Sequence, residues 1–426
     1  MARPNEKLAA SLTELRKLQE SGNVAIQTKE LSTTHRQRLL RHGFLTEVVQ
    51  GYYIASNPTL GTGNSTPWFT SYWKFCSEYL NQRFGADYCL SAEQSLLNHT
   101  GNTSIPKQLI IRATKASNYN MPLLHGTSMF MVNTQLPKTA EIMEKDGLRI
   151  LTLSSSLIRC SPVVFQNNAT EVRIALSQIE HASDILKPLL DGGHTVIAGR
   201  LSGAFRNIGR SDVADSIVKT MRSLDYDVKG HDPFEYQTIT TLSTTEKSPY
   251  INRLRLLWNE MKPIIMETFP TAPGLPAATK AYLKEVEGLY KTDAYHSLSI
   301  ERYEVSAELI EKVRTGKWDK HNNKEDRKHE VALAARGYYL AKVQVTASLQ
   351  KVLSGSNSGQ VADNDHGDWY NQLFVPGVIA GMIKPSDLAG YRNQPVYISN
   401  SWHVPPSVEA VRDTMPILFD LLEQEE

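Results

Sequence analysis

A serine and a glutamate four residues apart lie in the run 295–303, which reads YHSLSIERY. If this run is helical, Ser297 and Glu301 share one face, because residues i and i+4 lie one above the other. A carboxylate at that place can form a bidentate ion pair with an arginine and so keep another anion away from it. The alternative is an exposed helix carboxylate that pairs with a lysine or an arginine in the ordinary way.

A second run of interest, residues 393–407, follows about one hundred residues later and reads NQPVYISNSWHVPPS. It predicts a β run, a polar Asn-Ser turn and a short return that ends in two prolines. The outgoing run consists of Val396, Tyr397, Ile398 and Ser399. An exposed β edge of this kind can dock an extended target segment through main-chain hydrogen bonds. The alternative is a plain structural hairpin.

Basic and hydroxyl side chains concentrate near the amino terminus. Ser32 is a good N-cap for a helix that reaches about His42, with Gly43 at its C-cap. Six candidates for contacts with DNA lie on this helix: Thr33, Thr34, His35, Arg36, Arg38 and Arg41. The threonines can donate hydrogen bonds to a phosphate, and the basic side chains attract it. The alternative is a solvated basic helix in a protein-interaction module.

The elements around this helix follow a recognisable order. Leucines three or four apart predict a first helix over residues 5–20, and a short strand at 24–26 and a brief second helix at 28–31 follow. After the basic helix, residues 45–49 and 52–55 predict a hairpin around a tight turn. This is the order of a winged helix-turn-helix, in which the third helix enters the major groove.

The rest of the chain predicts an α+β region followed by a helical one. A boundary near residue 62 is indicated by the Gly, Ser, Thr, Asn and Pro content of residues 57–67. An aromatic stripe on the next helix, formed by Trp68, Tyr72, Phe75 and Tyr79, is typical of a packed core. Strands are expected at 109–112, 129–132 and 148–153. Helices are expected from about 251 onward, and the Gly, Ser, Asn and Asp content of residues 354–368 predicts a loop.

The run 199–210, GRLSGAFRNIGR, mixes glycines with Arg200, Arg206 and Arg210. A phosphate-binding loop is disfavoured because the run lacks the GK[ST] ending. Helix packing is the favoured interpretation.

Composition excludes several classes of protein. The chain has 426 residues, and 46 Lys plus Arg nearly balance 45 Asp plus Glu, so no overall field attracts it to nucleic acid or membrane. Its three cysteines form no CxxC pair, which predicts no thiol metal site and fits the reducing cytoplasm. The longest uncharged apolar run, residues 373–383, is too short to span a membrane. We therefore expect a multidomain α+β protein with domains at 1–62, 63–235 and 236–426.

Two segments of the N-terminal half, LLRHGFLTEVVQGYYIAS (39–56) and LSAEQSLLNHTG (90–101), together with the short β runs, resemble the AbiE-type antitoxins of abortive-infection systems. The resemblance spans roughly residues 8–165. It implies DNA binding and autoregulation, without catalysis, for a winged helix followed by an α+β domain.

The runs 295–303 and 393–407, in this order within a helical region, resemble the Fic (Fido) family of AMP-transferring enzymes over about residues 278–426. The resemblance implies a mostly helical domain with a β-hairpin flap. Ser297 and Glu301 would belong to the inhibitory helix, and residues 396–405 to the flap that docks a protein target through its Ser, Thr or Tyr hydroxyl. ATP and Mg²⁺ are the implied cofactors of a complete protein. Arg302 departs from the family, in which Gly or Asn follows the glutamate.

The catalytic run of that family reads H-P-F-x-[D/E]-G-N-G-R. None of the twelve histidines of this chain begins such a run. We therefore expect no catalytic residue and no metal ligand in this chain, which would be a Fic protein cut before its catalytic motif and inactive as given. The alternative is a non-catalytic winged-helix DNA-binding regulator or antitoxin-like protein. The expected partners are a protein target, DNA at the winged helix and a second copy of the chain in a homodimer.

Overall fold

The computed structural model describes residues 4–58, 64–234, 248–271, 273–301, 303–315, 330–393, 395–398, 401 and 403–425. The fold is mixed α+β, and backbone contacts divide it into two compact units. The first unit comprises Met1–Lys262 and Val396–Pro405, and the second comprises Pro263–Pro395 and Pro406–Glu426. The boundaries expected near 62 and 235 fall outside the described residues, so the division into three domains stays a prediction.

The N-terminal elements form a small sheet with two helices. In chain order they are α1 (Pro4–Glu20), β1 (Ile26–Gln27), a 3-10 turn (Thr28–Glu30), α2 (Thr33–Arg41), β2 (Leu45–Val49) and β3 (Tyr52–Ala55). The strands are antiparallel in the order β1-β3-β2. Helix, hairpin and strand positions agree with the sequence predictions, except that the brief second helix is a single 3-10 turn. Buried apolar side chains, among them Leu15, Leu39 and Leu45, hold these elements together.

An α+β region follows within the first unit. Its elements are α3 (Thr66–Phe84), β4 (Tyr88–Leu90), α4 (Ala92–His99), β5 (Gln108–Ala113), β6 (Tyr119–Pro122), β7 (Ser128–Asn133), β8 (Ile142–Lys145) and β9 (Leu148–Leu151). The four-stranded sheet has the order β4-β5-β7-β6, with β5 and β7 parallel and the other pairs antiparallel, and β8 pairs with β9 alone. The aromatic stripe of α3 is buried, which confirms the predicted core.

Seven helices follow among the described residues: α5 (Leu153–Arg159), α6 (Val164–Asn167), α7 (Ala169–Ser177), α8 (Ala182–Gly192), α9 (Thr195–Asn207), α10 (Ser211–Ser223) and α11 (Pro249–Thr268). The last of them begins in the first unit and continues beyond Lys262, where that unit ends. The run 199–210 begins within α9, as the helix-packing interpretation predicts. A Cβ atom on Gly199 would collide with the carbonyl oxygen of Lys229, and one on Gly203 with that of His231. The two glycines therefore allow the chain after α10 to pack directly on the α9 backbone.

The secondary-structure elements described in the second unit after α11 are helical: α12 (Thr279–Ile300), α13 (Ala307–Arg314), α14 (Glu330–Leu353), α15 (Ser358–Ile379), a 3-10 turn (Pro385–Leu388) and α16 (Val408–Gln424). Its core joins α12, α13 and α14 through buried side chains that include Tyr290, Leu298 and Ile310. The described part of the chain contains no helix with the length and apolar character that a bilayer span requires.

The loop expected at residues 354–368 is wrong, because α15 begins at Ser358. The Asn357 side chain caps this helix by accepting from the amide of Gln360 at 2.9 Å, and it also donates to the carbonyl of Glu423 at 3.0 Å. Gly359 lies so close to the backbone of α16 that a Cβ atom would collide with Glu423. The glycine and the asparagine thus serve helix capping and close packing, two roles that composition alone does not distinguish from a loop.

Candidate functional site

The amino-terminal end of α2 is open to solvent. The Ser32 hydroxyl accepts from the amide of His35 at 3.3 Å, which confirms the predicted N-cap. Thr33 and Thr34 are the first two residues of the helix, and both are exposed. Their hydroxyls and the first-turn amides therefore lie where an anion is favoured by the helix dipole.

Two of the predicted DNA-binding side chains point instead into the protein. His35 Nδ1 lies 2.9 Å from the Oγ atom of Ser11, a serine of α1 that is 0% exposed. Arg38 donates from Nη1 to the same Oγ at 2.8 Å and to the carbonyl oxygen of Lys7 at 2.9 Å. His35 and Arg38 therefore fix α2 to α1, and this role, which the sequence prediction did not include, depends on the buried Ser11.

Arg36 is also engaged within the fold. Its Nη1 donates to the carbonyl oxygen of Thr28 at 3.0 Å, and its guanidinium lies 6.0 Å from the centre of the Tyr53 ring. Arg36 thus bridges the 3-10 turn and β3. A guanidinium has five N–H donors, so this contact leaves other donors of Arg36 available for hydrogen bonds. The position of the guanidinium is nevertheless determined by its contacts within the fold.

The exposed stripe of α2 consists of Thr33, Gln37 and Arg41, which are all exposed and are spaced four residues apart. Residues at i, i+4 and i+8 follow one face of a helix. Gln37 was not among the predicted DNA contacts, because its side chain carries neither a hydroxyl nor a basic group. The signal that could have found it is this spacing between Thr33 and Arg41.

Ser297 lies in the last turn of α12 and is held by a tyrosine of α14. The Tyr338 hydroxyl lies 2.6 Å from the Asp293 carboxylate and 3.1 Å from Ser297 Oγ. Burial, together with the hydrogen bond to Asp293, raises the pKa of Tyr338 above its ordinary value. The hydroxyl thus stays protonated and can donate to Asp293 while Ser297 donates to it. No pattern in the sequence indicated a role for Tyr338.

Glu301 is the C-cap residue of α12, and its side chain is exposed. Its amide donates to the carbonyl of Ser297 at 3.3 Å. A carboxylate at a helix C-terminus is disfavoured by the helix dipole. Among the described residues no lysine or arginine forms an ion pair with Glu301, and its roles as a switch or as an ordinary exposed helix carboxylate both stay predictions. Arg302 lies outside the described residues.

The β run predicted at Val396–Ile398 is wrong, since these residues are in no strand. The amide of Ser401 donates to the carbonyl of Ile398 at 3.2 Å, but no described strand pairs with the segment, and a strand requires such a partner. Val396 and Ile398 are exposed, whereas Tyr397 is partly buried, and burial raises its pKa. Ser399 lies outside the described residues.

Helix α12 and the segment Val396–Pro405 belong to different units. Residues Val396–Pro405 are part of the first unit, where Val404 packs against the aromatic core, and α12 is part of the second. The described residues contain no cluster of three or more His, Cys, Asp or Glu side chains that could hold a metal ion.

Comparisons with known protein families, with curated proteins and with solved structures found no match to this chain.

Proposed function

We propose that residues 278–426 belong to a Fic-type AMP-transferring protein in which α12 is the restraining helix. The observation that supports the proposal is the arrangement of side chains at the C-terminal end of α12. Ser297 is held in place by Tyr338, and the Glu301 carboxylate is exposed and without a basic partner among the described residues. A carboxylate in this position gains nothing from its own helix, and it is available to an arginine supplied by other residues.

The restraint follows from the chemistry of carboxylates and phosphates. An arginine that clamps the terminal phosphate of ATP binds a carboxylate with the same planar fork of donors. While Glu301 occupies that arginine, the phosphate is excluded. Transfer of AMP to a protein hydroxyl further needs a histidine to take the hydroxyl proton, an acidic residue for Mg²⁺ and amides to hold the phosphates. The sequence lacks the run that supplies these groups in the Fic family, so this chain is assigned the restraint and not the transfer.

The test is transfer of AMP from labelled ATP to protein, measured with this chain fused to the H-P-F-x-[D/E]-G-N-G-R segment of a Fic-family protein. Loss of a charge-assisted pair is worth ~1.5–3 kcal/mol, so Glu301→Gln should raise transfer roughly 10- to 100-fold. Glu304→Gln is the matched control, because Glu304 is an exposed carboxylate three residues away. Equal rates for Glu301→Gln and wild type would refute the proposal.

A second function is favoured by the N-terminal elements. The strand order β1-β3-β2 beside α2, with the exposed stripe Thr33, Gln37 and Arg41, suits docking of α2 against a DNA groove. We infer that this region binds DNA, as a winged-helix regulator would. The chain should shift upstream DNA in a gel, with an affinity that falls steeply with salt concentration.

The double variant Gln37→Ala, Arg41→Gln should weaken this shift. Arg16→Gln is its control, since Arg16 is an exposed arginine of α1 that pairs with Glu20 at 2.8 Å. No shift at low salt, or equal weakening by Arg16→Gln, would count against DNA recognition by α2.

A further inference from the structure

The first unit contains a cavity of about 550 Å³ between strand and helix elements. Four basic side chains from four different parts of the chain line it: Arg112 of β5, Lys138 ahead of β8, Arg159 of α5 and Arg200 of α9. Two carboxylates, Glu141 and Asp191, line it as well.

Two of the four cations are neutralised. Glu141 accepts from Arg159 Nη2 at 2.6 Å and from Nε at 3.1 Å. Asp191 lies 3.3 Å from Lys138 Nζ. These pairs use both of the described carboxylates that line the cavity, so Arg112 and Arg200 have no counter-charge there among the described residues.

Arg200 is enclosed by the protein without being paired. It is 5% exposed, its Nη2 donates to the carbonyl oxygen of Cys160 at 3.2 Å, and its guanidinium lies 4.9 Å from the centre of the Phe165 ring. Its Nε is buried and has no acceptor among the described residues, and the same holds for Arg112 Nε. Both arginines line the cavity, and each has a donor without an acceptor among the described residues.

The two other arginines of the run 199–210 form ion pairs with aspartates. Arg206 lies 2.6 Å from Asp215, and Arg210 lies 3.2 Å from Asp212. Of the three arginines in the run 199–210, only Arg200 faces the cavity, and no described carboxylate pairs with it.

The Cys160 thiol does not supply the missing negative charge. Burial raises its pKa far above the ordinary value, so it remains a neutral thiol. Burial also lowers the pKa of Arg200, but an arginine stays protonated in proteins. A buried cation without a partner costs free energy, and an anion that enters the cavity removes that cost.

We propose that this cavity binds a small phosphate-bearing molecule whose phosphate oxygens accept hydrogen bonds from Arg112 and Arg200. A guanidinium matches the oxygens of a phosphate in a bidentate manner, and two of them can hold one phosphate from two sides. The volume lies within the ~300–1,000 Å³ of ordinary small-molecule sites. His194 also lines the cavity, and its ring lies so close to Gly192 that a Cβ atom on that glycine would collide with it. It contributes a further ring nitrogen for the rest of the ligand.

Calorimetric titration of the full chain at constant ionic strength tests this site. The probes are inorganic phosphate, pyrophosphate, glycerol 3-phosphate and, for carboxylates, citrate. Saturable binding of at least one phosphate probe is expected. Both Arg112→Gln and Arg200→Gln should weaken that binding at least tenfold, whereas Arg206→Gln, outside the cavity, should bind as wild type does. Arg112→Gln serves as the second variant if Arg200→Gln does not fold.

The probes also distinguish the sources of the phosphate. Equal binding of phosphate and glycerol 3-phosphate supports a site for the phosphate alone, and tighter binding of glycerol 3-phosphate supports an organic phosphate. No saturable binding of any phosphate probe at millimolar concentration would overturn the proposal. So would binding of citrate alone, or unchanged phosphate binding in a folded Arg112→Gln or Arg200→Gln variant.

Discussion

Arg38 and Arg41 are three residues apart on α2, yet the structure gives them different roles. Arg38 donates to Ser11 and to the carbonyl of Lys7, whereas Arg41 is exposed. Replacing Arg38 by Gln removes two hydrogen bonds between α2 and α1. A hydrogen bond contributes ~0.5–1.5 kcal/mol net, and more when one partner is charged. Because Arg38 is only partly buried, we take the lower part of that range, ~1–2 kcal/mol for both bonds.

This loss should appear as local opening of α1. A change of ~1–2 kcal/mol corresponds to a ~5- to 30-fold change in an opening equilibrium. Hydrogen exchange measured by mass spectrometry on peptides from residues 4–20 should therefore be ~5- to 30-fold faster in Arg38→Gln than in wild type. Arg41→Gln, a surface substitution, should change stability by no more than ~0.5 kcal/mol.

Two results would refute this reasoning. If α1 exchanges at the wild-type rate in Arg38→Gln, the contacts with Ser11 and Lys7 do not hold α1 in place. If Arg41→Gln accelerates exchange as much as Arg38→Gln does, the distinction between an internal and an exposed arginine fails.

Two further predictions concern packing and pH. Gly203→Ala should destabilise the protein by ~1–3 kcal/mol, because the new Cβ atom collides with the carbonyl of His231. The control is Gly288→Ala, which should be neutral or stabilising by ~0.5–1 kcal/mol, because Gly288 is a helical glycine with open space around it. Denaturant midpoints measure both, and equal effects would contradict the close approach at Gly203. Burial lowers the pKa of His99, whose Nε2 lies 2.7 Å from the carbonyl of Leu151. The unfolded chain therefore binds a proton more readily below about pH 6.5, so stability should fall as the pH drops from there toward the folded-state pKa of His99. His99→Gln should remove this part of the pH dependence, and an unchanged slope would contradict it.

Local signals in the sequence were sufficient for much of the N-terminal half. The N-cap at Ser32, the hairpin at 45–49 and 52–55 and the buried stripe of α3 are all confirmed. Each depends on interactions between residues close in sequence or on a periodic apolar pattern, which are the features that a single sequence displays.

The errors arise where distant segments decide the outcome. The composition of residues 354–368 predicts a loop, but contacts of Asn357 and Gly359 with α16 favour a helix. The run 396–398 has the residues of a strand, but no described strand pairs with it. In both cases the deciding partner lies far away in sequence or is absent from the described residues.

The sequence by itself determined where the candidate residues lie. The basic residues of α2 and the arginines of the run 199–210 are of types that bind anions, and Ser297 and Glu301 are the candidates for a switch. Only the tertiary structure decided which of them are free to do so. Arg38 donates to Ser11 and Arg206 pairs with Asp215, whereas Arg200 lines a cavity and pairs with no carboxylate of the described residues. The physical reason is that the availability of a charge depends on its neighbours in space, and those neighbours come from elements that are remote in the chain.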